Sequence, residues 1–133
     1  MSDIISKINE IEDLDNLEGV SDEEIAEAEK ALGLIFAEEY REILLNFGCI
    51  SFCGHDWTGL GFDEEGNVID ETKRERELNE AFPANMFVLE NAGIDGIIIA
   101  SDETGVVYKV KYDECTKLCD SISEYIDWCL NED

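Results

Sequence analysis

Acidic side chains are the residues of this chain with the widest scope for chemistry. Adjacent acids recur along its whole length, at Glu23-Glu24, Glu38-Glu39, Asp63-Glu64-Glu65, Asp70-Glu71, Asp102-Glu103 and Asp113-Glu114. The ordinary role of such pairs is to keep turns and helix faces solvated. A set that converges on one surface would instead attract a basic partner and speed its encounter.

One group of acids surrounds an aromatic residue in the sequence. Trp57 lies among five of them, which are Asp56, Asp63, Glu64, Glu65 and Asp70. An aromatic anchor ringed by charges is a frequent pattern of interface hot spots. We therefore predict that these six residues bind a protein partner, with Trp57 exposed. The alternative interpretation is that Trp57 packs in the core.

Five cysteines and one histidine suggest two further kinds of site. The pairs Cys49-x3-Cys53 and Cys115-x3-Cys119 have a spacing that suggests zinc. On an extended strand, however, four residues span roughly 13 Å, whereas zinc ligands lie about 4 Å apart. His55 near Cys49 or Cys53 also suggests a thiol nucleophile with its base, although no known nucleophile motif surrounds it. We expect no metal, no cofactor and no catalytic residue.

The charge balance narrows the choice of partner. Thirty-four acidic residues against nine basic ones give a net charge of −25 over 133 residues. This charge disfavours DNA, RNA and anionic membranes, which repel it, and favours a basic protein. Hydrophobic residues make up 44% of the chain, which is enough for a folded core and indicates one domain over residues 1–133.

Helical patterns dominate the first third of the chain. Isoleucines at helical spacing predict a short helix over residues 2–12. Ser21 with Glu24 forms a capping box for a second helix, which Gly33 ends. A third helix is predicted from Ala37 to Phe47, and the short turn between the two suggests that they pack as a hairpin.

Strand patterns follow, and one more helix closes the chain. The segment 49–62 predicts short strands and tight loops, with a strand at 68–69, a short exposed helix over 71–81 and a buried strand at 86–89. Residues 97–100 and 106–110 flank a turn and predict a hairpin. Ser121 and Glu124 form a second capping box, which opens a C-terminal helix. This order predicts an α+β fold, in which N-terminal helices and a C-terminal helix accompany an antiparallel sheet.

The order of these motifs resembles the SUKH superfamily. The resemblance rests on Gly19-Val20-Ser21-Asp22-Glu23-Glu24-Ile25, Leu32-Gly33, Glu38-Glu39-Tyr40-Arg41, Leu44-Leu45-Asn46-Phe47-Gly48, Gly93-Ile94-Asp95-Gly96 and Gly105-Val106-Val107-Tyr108. It covers a core of about residues 18–130. Two positions depart from the usual pattern, because Ala37 stands where the superfamily often has proline and Cys49 where a second glycine is common.

The resemblance implies a non-enzymatic immunity protein. SUKH proteins are mostly bacterial immunity proteins, with yeast cell-wall regulators among their relatives. We therefore expect a cytoplasmic inhibitor that neutralises a protein toxin with a basic cleft, such as a nuclease. The alternative is a regulatory interaction module of the same fold with an endogenous partner. The sequence leaves the oligomeric state open, and the absence of a signal-like N-terminus agrees with a cytoplasmic location.

Overall fold

The computed structural model describes residues 4–61, 67–91, 97–111 and 114–131. Within these residues the chain forms five helices, which are α1 (Ile4–Asn9), α2 (Asp22–Leu32), α3 (Glu38–Phe47), α4 (Val68–Leu78) and α5 (Ile122–Asn131). Seven strands accompany them, which are β1 (Asp15–Asn16), β2 (Ile50–Phe52), β3 (His55–Asp56), β4 (Phe87–Asn91), β5 (Ile97–Ser101), β6 (Val107–Lys111) and β7 (Glu114–Cys119). The predicted α+β class with a C-terminal helix is confirmed.

The strands form two antiparallel sheets. The small sheet has the order β1-β2-β3, and the large sheet has the order β4-β5-β6-β7. An isolated antiparallel bridge between Trp57 and Glu90 joins the end of β3 to β4, and the Thr58 N–H donates to the Leu89 carbonyl at 2.9 Å. The two sheets are therefore linked through the segment that follows β3.

Helices α2 and α3 begin and end close to the predicted residues. The Ser21 hydroxyl accepts the Glu24 N–H at 3.2 Å, and Gly33 caps the other end of α2. In α3 the N-cap position is Ala37, whose side chain makes no capping bond. Tyr40, Ile43, Leu44 and Phe47 face the core from α3, as their spacing of three and four residues predicts.

One predicted element has the wrong type. Val68 and Ile69 were expected to form a strand, but they are the first residues of α4. The reason is a cap at Asn67, whose side-chain oxygen accepts the Asp70 N–H at 2.8 Å. Satisfying an exposed N–H in this way starts the helix before the two apolar residues.

The large sheet is covered on both faces at β4 and β5. One face adds Phe87, Leu89, Ile99 and Val107 to the main core, which the helices and the small sheet complete. The other face forms a second, smaller cluster around Val88, Ile98, Ala100 and Val110, covered by Phe82 and Met86. Because both faces are buried, the strands β4 and β5 read as continuous apolar runs in the sequence.

A β-bulge in β4 redirects one charged side chain. The register shifts between Val88, which pairs with Ala100, and Glu90, which pairs with Ile99. Ile99 belongs to the main core, so the extra residue at Leu89 places Glu90 on that same face. Bulges commonly re-aim a side chain in this manner. A carboxylate is thereby buried where strand alternation alone would have pointed it to the other face.

The C-terminal helix is anchored by carboxylates at its start. The Ser121 hydroxyl accepts the Glu124 N–H at 3.1 Å, and Glu124 accepts the Asp120 N–H at 2.8 Å. Glu39 of α3 accepts the Ile122 N–H at 3.0 Å. These bonds satisfy free N–H groups of the first turn and fix α5 against α3. No helix in the described part of the chain is long and apolar enough to cross a membrane.

Candidate functional site

The predicted acidic cluster is only partly within the described residues. Asp56 on β3 and Asp70 in the first turn of α4 are both exposed, which a binding role requires. Asp63, Glu64 and Glu65 lie outside the described residues. Asp70 also accepts a hydrogen bond from the Asn67 amide at 3.1 Å, so its carboxylate helps to cap α4.

The prediction that Trp57 is exposed is wrong. Its side chain is only 3% exposed, and its ring lies 5.8 Å from that of Phe52 and 5.4 Å from that of Tyr125. The bridge to Glu90 holds the Trp57 backbone between the two sheets, and the ring therefore packs beneath α5. Core packing, the alternative interpretation, is correct, and Trp57 cannot serve as a surface anchor.

The structure shows a groove where the sequence offered no signal. Its volume is about 780 Å³. It lies between α1, the turn from β2 to β3, and the end of α5. Nine residues line it, which are Ser6, Lys7, Glu10, Ile11, Glu12, Asp13, Cys53, Asp127 and Leu130. We call it the acidic groove. Its four carboxylates come from two ends of the chain, which only the tertiary fold brings together.

The wall formed by the β2–β3 turn is held in place by one of these carboxylates. Cys53 and Gly54 both have positive φ, at 50° and 78°, which is the geometry of a two-residue type I′ hairpin turn. The Asp13 carboxylate accepts the Cys53 N–H at 2.9 Å. This bond ties the turn to the segment after α1 and offsets some of the cost of a left-handed cysteine.

The acidic groove is electrostatically negative. Lys7 is its one cation, and its ammonium donates to Asp127 at 2.8 Å and to the Ser123 carbonyl at 3.3 Å. The other three carboxylates, those of Glu10, Glu12 and Asp13, therefore outweigh the ammonium. Low-dielectric walls focus the field of such a cleft and concentrate cations in it.

An aromatic residue lies beside the groove. Trp128 is 38% exposed and Leu130 is 40% exposed. A second, shallower depression on α5 is lined by Trp128 together with Asp127, which also lines the acidic groove. The exposed face of α5 thus places an amphipathic aromatic ring next to carboxylates, which is the arrangement that was predicted for Trp57.

A buried polar cluster lies beneath this helix. The Glu90 carboxylate is 5% exposed, and His55 Nδ1 lies 2.7 Å from its Oε2. The Tyr125 hydroxyl donates a short hydrogen bond to Oε1 of the same carboxylate. Burial, reinforced by the charge of Glu90, raises the pKa of the Tyr125 phenol. This phenol therefore remains protonated and can only serve as the donor.

One of the two thiols that were weighed as a nucleophile, Cys49, is held in its inactive form. Burial, with a smaller contribution from Asp56, raises the pKa of Cys49 to about 11. Its Sγ donates to the Trp57 carbonyl at 3.3 Å, a bond that requires the thiol. The nucleophile in thiol chemistry is the thiolate, so this environment opposes catalysis at Cys49.

Cys49 should make stability fall in alkaline solution. Its pKa is raised from an ordinary value of 9.0 to about 11 on folding, so between these values the unfolded chain releases a proton that the folded chain retains. The free energy of unfolding is then undiminished below pH 9 and declines toward pH 11. Chemical denaturation at several pH values should show a shallower decline for Cys49→Ser. An identical decline in both proteins would contradict the assignment.

One of the two cysteine pairs behaves as strand geometry predicts. Cys115 and Cys119 both lie on β7, with Cys115 exposed and Cys119 buried. The two thiols therefore lie in different environments, and the extended strand keeps them too far apart to bind one zinc ion. In the described residues, the grouping of metal-ligating side chains is a different one, formed by His55, Glu90 and Cys129. Sequence reasoning missed it because its members are at least 35 residues apart.

Comparison with protein families agrees with the resemblance seen in the sequence. The family model SUKH_5, described as SMI1-KNR4 cell-wall, matches residues 1–131. A search of the curated proteins gave no significant match. Because the match spans nearly the whole chain, this protein belongs to the SUKH_5 (SMI1-KNR4 cell-wall) family of the SUKH superfamily.

Proposed function

We propose that the chain is a non-enzymatic immunity protein that binds and neutralises a toxin domain through the acidic groove. The observation that supports this most strongly is the groove itself, a cleft of about 780 Å³ with four carboxylates in its lining and one ammonium. Membership of the SUKH superfamily supports an immunity or regulatory role in general. The carboxylates of the groove favour a basic protein surface as the partner.

Charge complementarity favours a toxin whose own cleft is basic. Nucleases need cationic side chains to hold the phosphates of their substrate. A protein with a net charge of −25 offers such a cleft a set of fixed carboxylates in place of phosphates. Arginine and lysine side chains of the toxin would enter the groove and pair with Glu10, Glu12 and Asp13.

The aromatic anchor in this proposal is Trp128 instead of Trp57. Tryptophan is among the residues that contribute most to interface hot spots, because its ring supplies a large apolar area and one N–H donor. Trp128 stacks on Tyr125 with ring centroids 5.6 Å apart, so it is held in one orientation before binding. Asp56 and Asp70 stay in the proposal as exposed carboxylates, together with the predicted Asp63, Glu64 and Glu65.

The proposal places the protein in the cytoplasm, where a toxin delivered by a related cell would act. All five cysteines are thiols, which suits a reducing compartment. The raised pKa of Cys49 supports a role without catalysis.

A regulatory module is the second candidate. The family description refers to the cell wall, and an exposed Trp128 beside Leu130 would serve binding of an endogenous partner equally well. The two candidates differ in the identity of the partner and not in the chemistry of the surface.

Protection of cells tests the proposal directly. Each toxin candidate encoded beside this gene would be expressed with and without the protein, and survival would be counted. We expect survival to be restored with one of them. Failure to protect against every neighbouring candidate would contradict the proposal. Affinity purification that recovers a housekeeping protein as the main partner, with no toxin gene nearby, would favour the regulatory module.

A further inference from the structure

Three side chains of different chemistry converge beneath α5. His55 on β3, Glu90 on β4 and Cys129 on α5 each offer one ligand atom, and these atoms all lie within 4.8 Å of one another. They supply an imidazole nitrogen, a carboxylate oxygen and a sulfur. Three separate elements thus aim donors at one point, and the bulge before Glu90 is what turns its carboxylate toward that point.

The carboxylate of this cluster is buried and is bonded by two polar side chains. Glu90 is 5% exposed, and its two side-chain partners are His55 and Tyr125. The Tyr125 phenol brings no positive charge. Carboxylates in protein interiors are as a rule paired with a cation or bound to a metal. A divalent cation held by one carboxylate and one thiolate would give a site without net charge.

We propose that His55, Glu90 and Cys129 bind a Zn²⁺ ion. Nitrogen, sulfur and carboxylate oxygen are the donors that zinc takes in proteins, whereas calcium and magnesium require oxygen donors. Three protein ligands leave a fourth tetrahedral position for water. On binding, the Cys129 thiol loses its proton to solvent and the sulfur donates its electron pair to the metal. No oxidation or reduction is involved.

One pair of ligands, His55 and Glu90, needs only a small adjustment to reach bonding geometry. Bonds of about 2.0 Å in a tetrahedral site place a nitrogen and an oxygen donor about 3.3 Å apart. His55 Nδ1 and Glu90 Oε2 are 2.7 Å apart, so this pair opens by about half an ångström on metal binding. The proton that the two atoms share leaves Nδ1, and the neutral imidazole carries its one proton on Nε2. The exposed fraction of the His55 side chain is 15%, which leaves it room to turn.

The surrounding residues supply the support that metal ligands usually have. The Tyr125 hydroxyl donates to Glu90 Oε1, and the ring of His55 packs edge-on against Trp128 with centroids 6.3 Å apart. Such outer contacts orient the ligands and typically change metal affinity by about tenfold to a hundredfold when removed. Tyr125 is thus a positioning residue for the proposed ion.

The ion would fasten α5 to both sheets. Cys129 is flanked by Trp128 and Leu130, next to the acidic groove, so zinc would hold that part of the helix in place. The inference does not rest on the proposed function, because it concerns binding of a metal and not of a protein.

Metal titration of the full chain tests the proposal. After dialysis against a chelator, Zn²⁺ would be titrated by calorimetry under reducing conditions, and Co²⁺ by visible absorption. We expect one ion per chain with a Kd below about 1 μM, and Co²⁺ bands typical of tetrahedral coordination with a thiolate. Cys129→Ser and His55→Gln should each weaken binding at least about a hundredfold, and Tyr125→Phe about tenfold to a hundredfold.

Cys119→Ser is the matched control, since Cys119 is also buried but lies outside the cluster. It should bind zinc like the unmodified chain. His55→Gln keeps the test valid if Cys129→Ser does not fold, because His55 is partly exposed and its replacement disturbs the core less. Circular dichroism would verify that the His55→Gln variant is folded. The proposal is overturned if the unmodified chain binds no zinc at this affinity, or if the folded variants bind it unchanged.

Discussion

Amide substitution of the four carboxylates in the acidic groove should weaken toxin binding at least about thirtyfold. The variant carries Glu10→Gln, Glu12→Gln, Asp13→Asn and Asp127→Asn. Partly exposed ion pairs contribute about 0.5 to 1 kcal/mol each. Loss of the three with Glu10, Glu12 and Asp13, together with repulsion by the Lys7 ammonium that Asp127→Asn leaves without a counter-charge, accounts for about 2 to 4 kcal/mol. The fold should persist, because an asparagine at position 13 can still accept the Cys53 N–H. Surface plasmon resonance against the cognate toxin would measure the loss.

A control of equal charge separates the groove from the overall charge of the protein. Glu77, Glu80, Glu103 and Glu114 are exposed carboxylates that do not line the groove. Changing these four to glutamine removes the same number of negative charges. We expect this variant to keep most of its affinity. Equal losses in the two variants would show that net charge matters and that the groove does not.

Gly59→Ala should be among the most destabilising single substitutions in the chain. A Cβ at this position would lie 2.2 Å from the Gly48 carbonyl oxygen and 2.7 Å from the Cβ of Cys49. The same carbonyl accepts the Leu60 N–H at 2.9 Å, so the segment cannot move away without losing this bond. We expect the free energy of unfolding to fall by about 3 kcal/mol. Urea denaturation would measure it.

Gly54→Asn is the comparison for Gly59→Ala, because Gly54 is needed only for its positive φ and not for a close contact. Its φ is 78°, and a Cβ added there would meet no atom within 4 Å. Asparagine tolerates the left-handed region, so the loss should stay below about 1 kcal/mol. An equal loss of unfolding free energy in Gly59→Ala and Gly54→Asn would contradict the close approach of the Gly59 segment to Gly48 and Cys49.

Local signals in the sequence account for much of the fold. The Ser21 and Ser121 caps form as predicted, and the hairpin of β5 and β6 follows from apolar runs around a polar turn. The error at Val68 has a physical source, since a cap at Asn67 outweighed the strand preference of two apolar residues. Strand β7 was missed because four of its six residues are exposed and carry no clear alternation.

The candidate sites were less predictable because tertiary contacts create them. Lining residues of the acidic groove come from α1, from Cys53 and from α5, and no sequence window contains all three. The burial of Glu90 depends on a bulge in β4, which no local sequence pattern reveals. Trp57 was expected at the surface, but pairing with β4 buries it, whereas Trp128 is exposed on α5.

The dependence of the association rate on salt tests the central claim most directly. The claim is that a negatively charged surface is what makes this protein work. Charges on such a surface are screened over about 8 Å at physiological ionic strength. Stopped-flow mixing with the cognate toxin should therefore show an association rate that falls steeply as salt is added, with a much smaller change in the dissociation rate. An association rate that stays constant from low to high salt would contradict the account.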